Sequence, residues 1–438
     1  MNRVVSQRYI NAPPGLLYPG DKNPDGQILG RSLMKPDNNN LAPRIGIAWD
    51  PFGNGKTSIR AGFGVYYDAP SLQAQNDANN VSPFSYSVQF YDGLMDKPYR
   101  GRESSNKFPL TQFAKDSPFD SPLYTIVLDG KYVTSSAMNW NFTVEREIVR
   151  DTRLRFAYVG TKGTHLKSES DINASIYNPN LSLAQNRNTI QQRRPRREYD
   201  EISRWFFGLK STYHAFQLTA DKRFSKGYTV LVSYTWSKTL DYISQNGFGG
   251  GNQVANPFNF FFRHSAADQH RPQRLVTSFV WDVPGLPRTA SPAAKAITND
   301  WKLSSILTFQ AGRPFNIAAT GNPTAGGGRA FVDLRGSGYP VLDTGRAKGE
   351  KVAAYFDTNR FANPAPNTYG TLGRNALRGP GFSQIDISLV KGWRLPFLGE
   401  RGLGQFRFEA FNLANRTNFG NPVTGITNPN FGRLTGTD

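Results

Sequence analysis

The chain has 438 residues, 38% hydrophobic and 19% charged, with a formal net charge of +19 at pH 7 and no cysteine. The missing cysteine excludes a disulfide framework and any cysteine-based zinc or redox site, and the lack of any apolar run of about 20 residues excludes helical membrane spans. A basic surplus of this size raises nucleic acid or an anionic surface as a partner, but the basic residues are dispersed, as in solvated loops, and no nucleic-acid partner is expected.

Mean hydropathy of −0.52 leaves a membrane barrel open, because its strands turn only every second residue toward lipid. The 31 Phe, 19 Tyr, 42 Gly and 29 Pro favour strands and turns over helices. The opening MNRVVSQRYINAPPG lacks the apolar core of a signal peptide. Residues 1–41, rich in Pro, Gly, Asp and Asn, read as loop.

Alternation then begins. In APRIGIAWDPFGNGKTSIRAGFGVYYD, Ile45, Ile47 and Trp49 share one parity, and after a turn so do Ile59, Ala61, Phe63, Val65 and Tyr67. Residues 69–136 read as mostly irregular, with Phe84, Tyr86, Val88 and Phe90 alternating. The clearest ribbon is Ala137–Leu166: Met138, Trp140, Phe142 and Val144, then Leu154, Phe156 and Tyr158, lie on one face, with Asn, Thr, Glu and Arg on the other. A short turn near Arg150 and Asp151 sets Val144 opposite Phe156, Phe142 opposite Tyr158, Glu147 opposite Arg153 and Glu145 opposite Arg155. A long polar stretch containing QQRRPRRE, and with it Trp205, is read as loop up to about Lys210.

The pattern resumes with His214, Phe216, Leu218 and Ala220, the turn Ser225, Lys226 and Gly227, and then Tyr228, Val230, Val232, Tyr234 and Trp236. Residues 239–270 form a Gly/Asn/Phe-rich loop. Two more strands fit Arg274–Asp282 and Trp301–Gln310, bridged by GLPRTASPAAKAITND. A long loop reaches Pro380, and the last pair is FSQIDISLVKGW and QFRFEAFNL, followed by a terminal loop from 414.

About ten strands result, joined alternately by short and long connections. A soluble sandwich has no reason to put every long loop on one end, whereas outer-membrane barrels have short periplasmic turns and long outer loops. Tryptophan placement agrees: Trp49, Trp281, Trp301 and Trp393 lie by the short connections, and Trp140 and Trp236 lie toward the long loops, as two interfacial belts require. The expected fold class is an all-β, antiparallel transmembrane β-barrel, here ten to twelve strands of a larger barrel, with strands and loops over 42–413. Trp140, Phe142, Phe156, Tyr158, Phe216, Val230, Val232 and Tyr234 are expected to face lipid.

No chemistry-bearing motif survives inspection. PFGNGKTS resembles a phosphate-binding loop, but the first glycine of that pattern falls on Asp50 and a strand follows where a helix is needed. His264, Asp268 and His270 match no metal spacing. Ser32, Leu33, Met34 and Lys35 match a serine–lysine pattern without its companion motifs. No enzyme, cofactor or metal site is expected. Arg193, Arg194, Arg196 and Arg197 form the one dense basic cluster, a candidate for binding phosphate or another anion.

NLAPRIGIAWDPFGNGKTSIRAGFGVYYD, NWNFTVERE with AYVGTKGTHL, YHAFQLTADKRFSKGYTVLVSYTWSKTLD, ILTFQAGRPF, GRNALRGPGFSQIDISLVK and FRFEAFNLANRTNFGNP together resemble the C-terminal barrel of TonB-dependent outer-membrane receptors, nearest the Oar-like subgroup. The resemblance implies part of a large barrel that imports a scarce small substrate with energy passed by TonB. It also implies contact with outer-membrane lipid and lipopolysaccharide. Against the full pattern, the chain is expected to be a fragment without signal peptide, plug, TonB-contacting segment or last strand. A soluble all-β module binding anionic or glycan ligands is the alternative, and it requires apolar faces of different strands packed against one another.

Overall fold

The computed structural model describes residues 4–32, 36–68, 83–85, 94–97, 114–119, 121–128, 132–244, 255–259, 264–287, 289–343, 345–395 and 402–437. The expected alternation at Tyr86, Val88 and Phe90, and the stretch Leu33 to Lys35, lie outside these residues.

The strands in chain order are β1 (Arg44–Trp49), β2 (Thr57–Tyr67), β3 (Leu123–Leu128), β4 (Ser136–Val149), β5 (Thr152–Asp171), β6 (Tyr199–Ser225), β7 (Tyr228–Asp241), β8 (Ser265–Ala266), β9 (Gln273–Val283) and β10 (Trp301–Gln310). Four two-residue strands follow, β11 (Pro314–Phe315), β12 (Asp333–Leu334), β13 (Phe361–Ala362) and β14 (Leu377–Arg378), and then the long pair β15 (Phe382–Arg394) and β16 (Leu403–Ala410). Ten strands form one antiparallel sheet in the order β1-β2-β4-β5-β6-β7-β9-β10-β15-β16, with β3 and β8 off the path. The sheet is not closed: among the described residues β1 and β16 are its two edges.

Register follows parity. In β4 and β5, Val144 faces Phe156, Phe142 faces Tyr158, Glu147 faces Arg153 and Glu145 faces Arg155. Turn chemistry explains the tight ends. Lys226 and Gly227 both have positive φ, 54° and 84°, the backbone that a two-residue hairpin between right-twisted strands demands. At the β1–β2 turn, the Asp50 carboxylate accepts from the N–H groups of Gly55 at 2.7 Å and Phe52 at 3.2 Å, so PFGNGKTS is a hairpin loop. Gly160 stands opposite Trp140, and a Cβ there would lie 2.2 Å from the indole, so only bare backbone lets the ring lie flat across the ladder.

Two readings are corrected. The two ends of the stretch before Lys210 are strand, with β5 running to Asp171 and β6 starting at Tyr199 and Glu169 paired with Trp205, while 172–198, including QQRRPRRE, is loop with a short helix over Leu183–Asn188. Trp205 is thus a buried strand residue, 2% exposed, with the Lys167 ammonium over its ring. Sequence alternation is broken there because the ladder shifts register between Gly163 and Lys167, which flips faces without any signal in composition. Within 69–136, β3 pairs with this extension in parallel. The bridging segment GLPRTASPAAKAITND carries a short helix, Pro292–Thr298, whose Ser291 side chain accepts from the Ala294 N–H.

The connection between β10 and β15 is a folded unit. Phe315, Ile317, Val332, Phe356, Phe361, Leu372 and Leu377 form its core, joined by Ile426 and Phe431 from the C-terminal segment.

Candidate functional site

The sheet has two chemically distinct faces, and register alone assigns residues to them. One row runs Phe142, Tyr158, Phe216 and Trp236 across β4 to β7. The next runs Val144, Phe156, Leu218, Tyr234, Leu275 and Phe309 through to β10. All eight residues expected to face lipid share this face. Its large side chains are uncovered: Phe142 is 49% exposed and Trp236 60%. The other face is polar, with the row Ser58, Glu145, Arg155, Thr219 and Ser233 across β2 to β7. Arg153 bridges Glu145 at 2.9 Å and Asp221 at 2.5 Å, and Arg155 holds Glu145 at 3.1 Å.

The connections sort cleanly by end. Turns at 50–56, 150–151, 226–227, 284–300 and 395–402 close one end of the sheet; the segments 68–135, 172–198, 242–272 and 311–381 leave from the other.

The expected anion cluster does not present a common surface. Arg193 donates to the carbonyls of Ile176, Asn186 and Ala325, the last at 2.9 Å. Arg194 pairs with Asp171 at 2.6 Å and Asp200 at 2.8 Å. Arg196 Nη1 lies 3.5 Å from the Pro14 carbonyl, and Arg197 is exposed. Arg193 and Arg194 therefore tie the 172–198 loop together. Asp268 is likewise occupied, by Asn375 at 2.6 Å and Arg374 at 3.2 Å.

Arg374 and Asn375 rivet the folded loop unit to the strand ends. The guanidinium reaches the Asp241 carboxylate and carbonyl, the Ser244 hydroxyl and Asp268. Asn375 Nδ2 also donates to the Ala266 carbonyl at 2.8 Å.

Between this unit and the rim lies a cavity of about 590 Å³, within the usual range of about 300–1,000 Å³ for ligand sites. Lys238, His270, Arg346, Lys351, Arg378 and Arg416 line it, against a single acid, Asp343, and Phe315, Tyr339, Tyr355 and Phe419 supply aromatic wall. Arg346 is spent on the carbonyls of Asp343 at 2.9 Å and Ala354 at 2.9 Å. Among the described residues, Lys238, Lys351, Arg378 and Arg416 have no ion-pair partner.

Arg378 is held by the Gly312 carbonyl at 2.9 Å. Its outer side is open to water, while the packed loop behind it desolvates the guanidinium and lowers its pKa. His270 is 6% exposed. Its Nδ1 accepts from the Thr239 N–H at 3.4 Å, and burial, then Arg378 and Lys238, lower its pKa, so the ring is neutral near pH 7.

Of these six residues the sequence reading weighed only His270, as a metal ligand, and it missed the grouping because the six spread over nearly 180 positions, from Lys238 to Arg416. Lys238, Arg378 and Arg416 each fall in a stretch already marked by resemblance, but in three different stretches that no sequence pattern groups.

A family model described as outer membrane beta barrel domain matches residues 2–438. The chain belongs to that family, and its place is the bacterial outer membrane. Among solved structures it is similar to the outer membrane transporter YddB from Escherichia coli, at 14% identity and a TM-score of 0.47, covering 91% of this chain and 39% of that one. It is also similar to the FrpB iron transporter from Neisseria meningitidis, at 12% identity and a TM-score of 0.39, covering 90% and 37%. A third likeness is the siderophore receptor PiuA from Acinetobacter baumannii, at 8% identity and a TM-score of 0.40, covering 90% and 34%. The chain thus spans about two-fifths or less of the length of these structures. No curated protein matches it.

Proposed function

We propose that this chain forms part of the wall of an import barrel of the TonB-dependent receptor class, nearest the Oar-like subgroup. In this reading the parent takes up a scarce small substrate, energised by TonB bound through its N-terminal part. The carrying observation is the sheet itself: one continuous aromatic and aliphatic face, one polar face, and every long connection at a single end. Trp140, Phe142, Phe156, Tyr158, Phe216, Val230, Val232 and Tyr234 face lipid, the polar rows line the lumen, and the long loops stand outside where substrate arrives.

The edges β1 and β16 pair with further strands of the parent, since open edges bearing unpaired backbone groups are not tolerated in hydrocarbon. A soluble module would need a second sheet over the aromatic face. Among the described residues Phe142, Phe156, Tyr158 and Phe216 are each at least 40% exposed, which disfavours that alternative.

The test is a swap of faces in the full-length parent. Phe142→Arg should lower insertion into outer membranes, and Thr143→Arg, one residue along and on the lumen side, should leave it near wild type. Equal effects of the two would overturn the reading, as would a compact, monomeric chain in buffer without detergent.

A further inference from the structure

The tight turn between β1 and β2 carries an Asn-Gly pair, Asn54 and Gly55, and the turn's hydrogen bonds engage both groups through which such a pair reacts with itself. Asparagine is among the chemically labile residues: it cyclises when the next backbone nitrogen, freed of its proton, meets the side-chain carbonyl carbon. The Gly55 N–H donates to Asp50 Oδ2 at 2.7 Å, so a carboxylate already holds the proton that must leave. That carboxylate is itself anchored, since its other oxygen accepts from the Phe52 N–H at 3.2 Å. On the electrophile's side, the Lys56 N–H donates to Asn54 Oδ1 at 3.0 Å, where negative charge develops during attack. The ladder fixes this donor in turn, because the Lys56 carbonyl accepts from the Glu147 N–H at 2.8 Å.

The bond from Lys56 to Asn54 closes a ring that contains both Asn54 Cγ and Gly55 N, keeping the reacting atoms on one side of the turn. A Cβ built on Gly55 would meet nothing within 4 Å, and Asn54, Gly55 and Lys56 are all exposed to water, the reagent of the second step. We propose that Asn54 is a self-modification site, at which the folded turn drives intramolecular deamidation with Asp50 as general base. Gly55 N attacks Asn54 Cγ and the N–Cγ bond forms. The proton passes to Asp50 Oδ2 and on to Asn54 Nδ2, the Cγ–Nδ2 bond breaks, and ammonia leaves a cyclic succinimide. Water then opens the ring at either carbonyl, giving aspartate or isoaspartate at 54; nothing is oxidised or reduced, and water replaces ammonia. Either product adds a negative charge beside Asp50. The isoaspartate also lengthens the main chain of the turn that sets Trp49 opposite Ile59, so the register of β1, an edge of the sheet among the described residues, responds to the age of the chain.

The test incubates the detergent-purified full-length parent, folded or unfolded in guanidinium, in water enriched in oxygen-18. Peptide mapping then follows the conversion of Asn54, with the label marking product formed during the incubation. Asn54 should convert at least about threefold faster in the folded chain than in the unfolded one, and Asp50→Asn, which keeps an acceptor but removes the base, should abolish that gain. Attack assisted by a carboxylate needs no hydroxide, so from pH 8 to pH 6 the folded rate should fall by less than about threefold while the unfolded rate falls by about a hundredfold. Folded conversion no faster than unfolded overturns the proposal, because the turn then protects the pair. A folded rate that tracks hydroxide overturns it too, as does one that Asp50→Asn leaves unchanged. If Asp50→Asn does not fold, the wild-type comparison and its pH profile decide alone.

Discussion

The strand ladder and the folded loop unit above it are built on opposite principles. Each ladder residue finds its partner by counting from the nearest turn, as Phe142 finds Tyr158. The loop unit gathers Phe315, Phe356 and Phe361 from separate turns of chain, and Phe431 from beyond the last strand, into a core with interring distances of 5.3 to 6.0 Å. The ladder leaves its large side chains uncovered, and the loop unit hides them: Phe156 is 43% exposed and Phe356 3%. One region thus presents its large side chains outward from a single sheet, while the other encloses them in a small core of its own.

The largest expected effect separates the two. Phe356→Ala should cost about 3–5 kcal/mol locally, opening the loop unit to protease while the barrel keeps its resistance to unfolding in detergent. Loss of both together would show that they are one cooperative unit. Next comes Val232→Arg, which places a charge near mid-height of the apolar face and should cost about 2–4 kcal/mol of barrel stability. Ser233→Arg on the polar face should cost far less, and a reversed order in urea titrations of the reconstituted parent would break the assignment of faces.

The joint between the regions is weaker. Asn375→Ala removes the hydrogen bonds to Asp268 and Ala266 and should cost about 1–3 kcal/mol. Faster hydrogen exchange should appear in 311–381 without change in β7 or β9; exchange rising equally in the strands would refute a separate joint.

The smallest effect is the pH response of His270, whose folded pKa lies below its ordinary value of 6.5. Its neutral form stabilises the rim fully above pH 6.5, and that contribution is lost as pH falls through the lower folded value. The surrounding charges are Arg378 and Lys238, with Asp268 already held by Arg374. His270→Gln should flatten the loss of loop protection below pH 6.5, and an unchanged slope would remove this histidine from the account.

Much of the ladder was legible in advance. Ten strands, their alternate short and long connections, the hairpin register and the shared face of eight residues follow from period two and turn chemistry, both local properties. The upper part of β6 was not legible, because a register shift near Gly163 moves side chains across the sheet without altering composition. The arginines at 193 and 194 read as a free cluster because their partners, among them Ala325 and Asp171, lie at sequence separations of 132 and 23.

By itself, then, the sequence determined that this is a one-sided aromatic ribbon repeated into an antiparallel wall. It did so because each strand meets its neighbour across a turn that the chain itself specifies. Only the tertiary structure decided which cations face a common cavity, which are spent as ties, and that a second core covers the rim. Those outcomes depend on contacts such as Arg374 with Asp268, 106 positions apart, where no period links one residue to the other and only the packed loops bring them together.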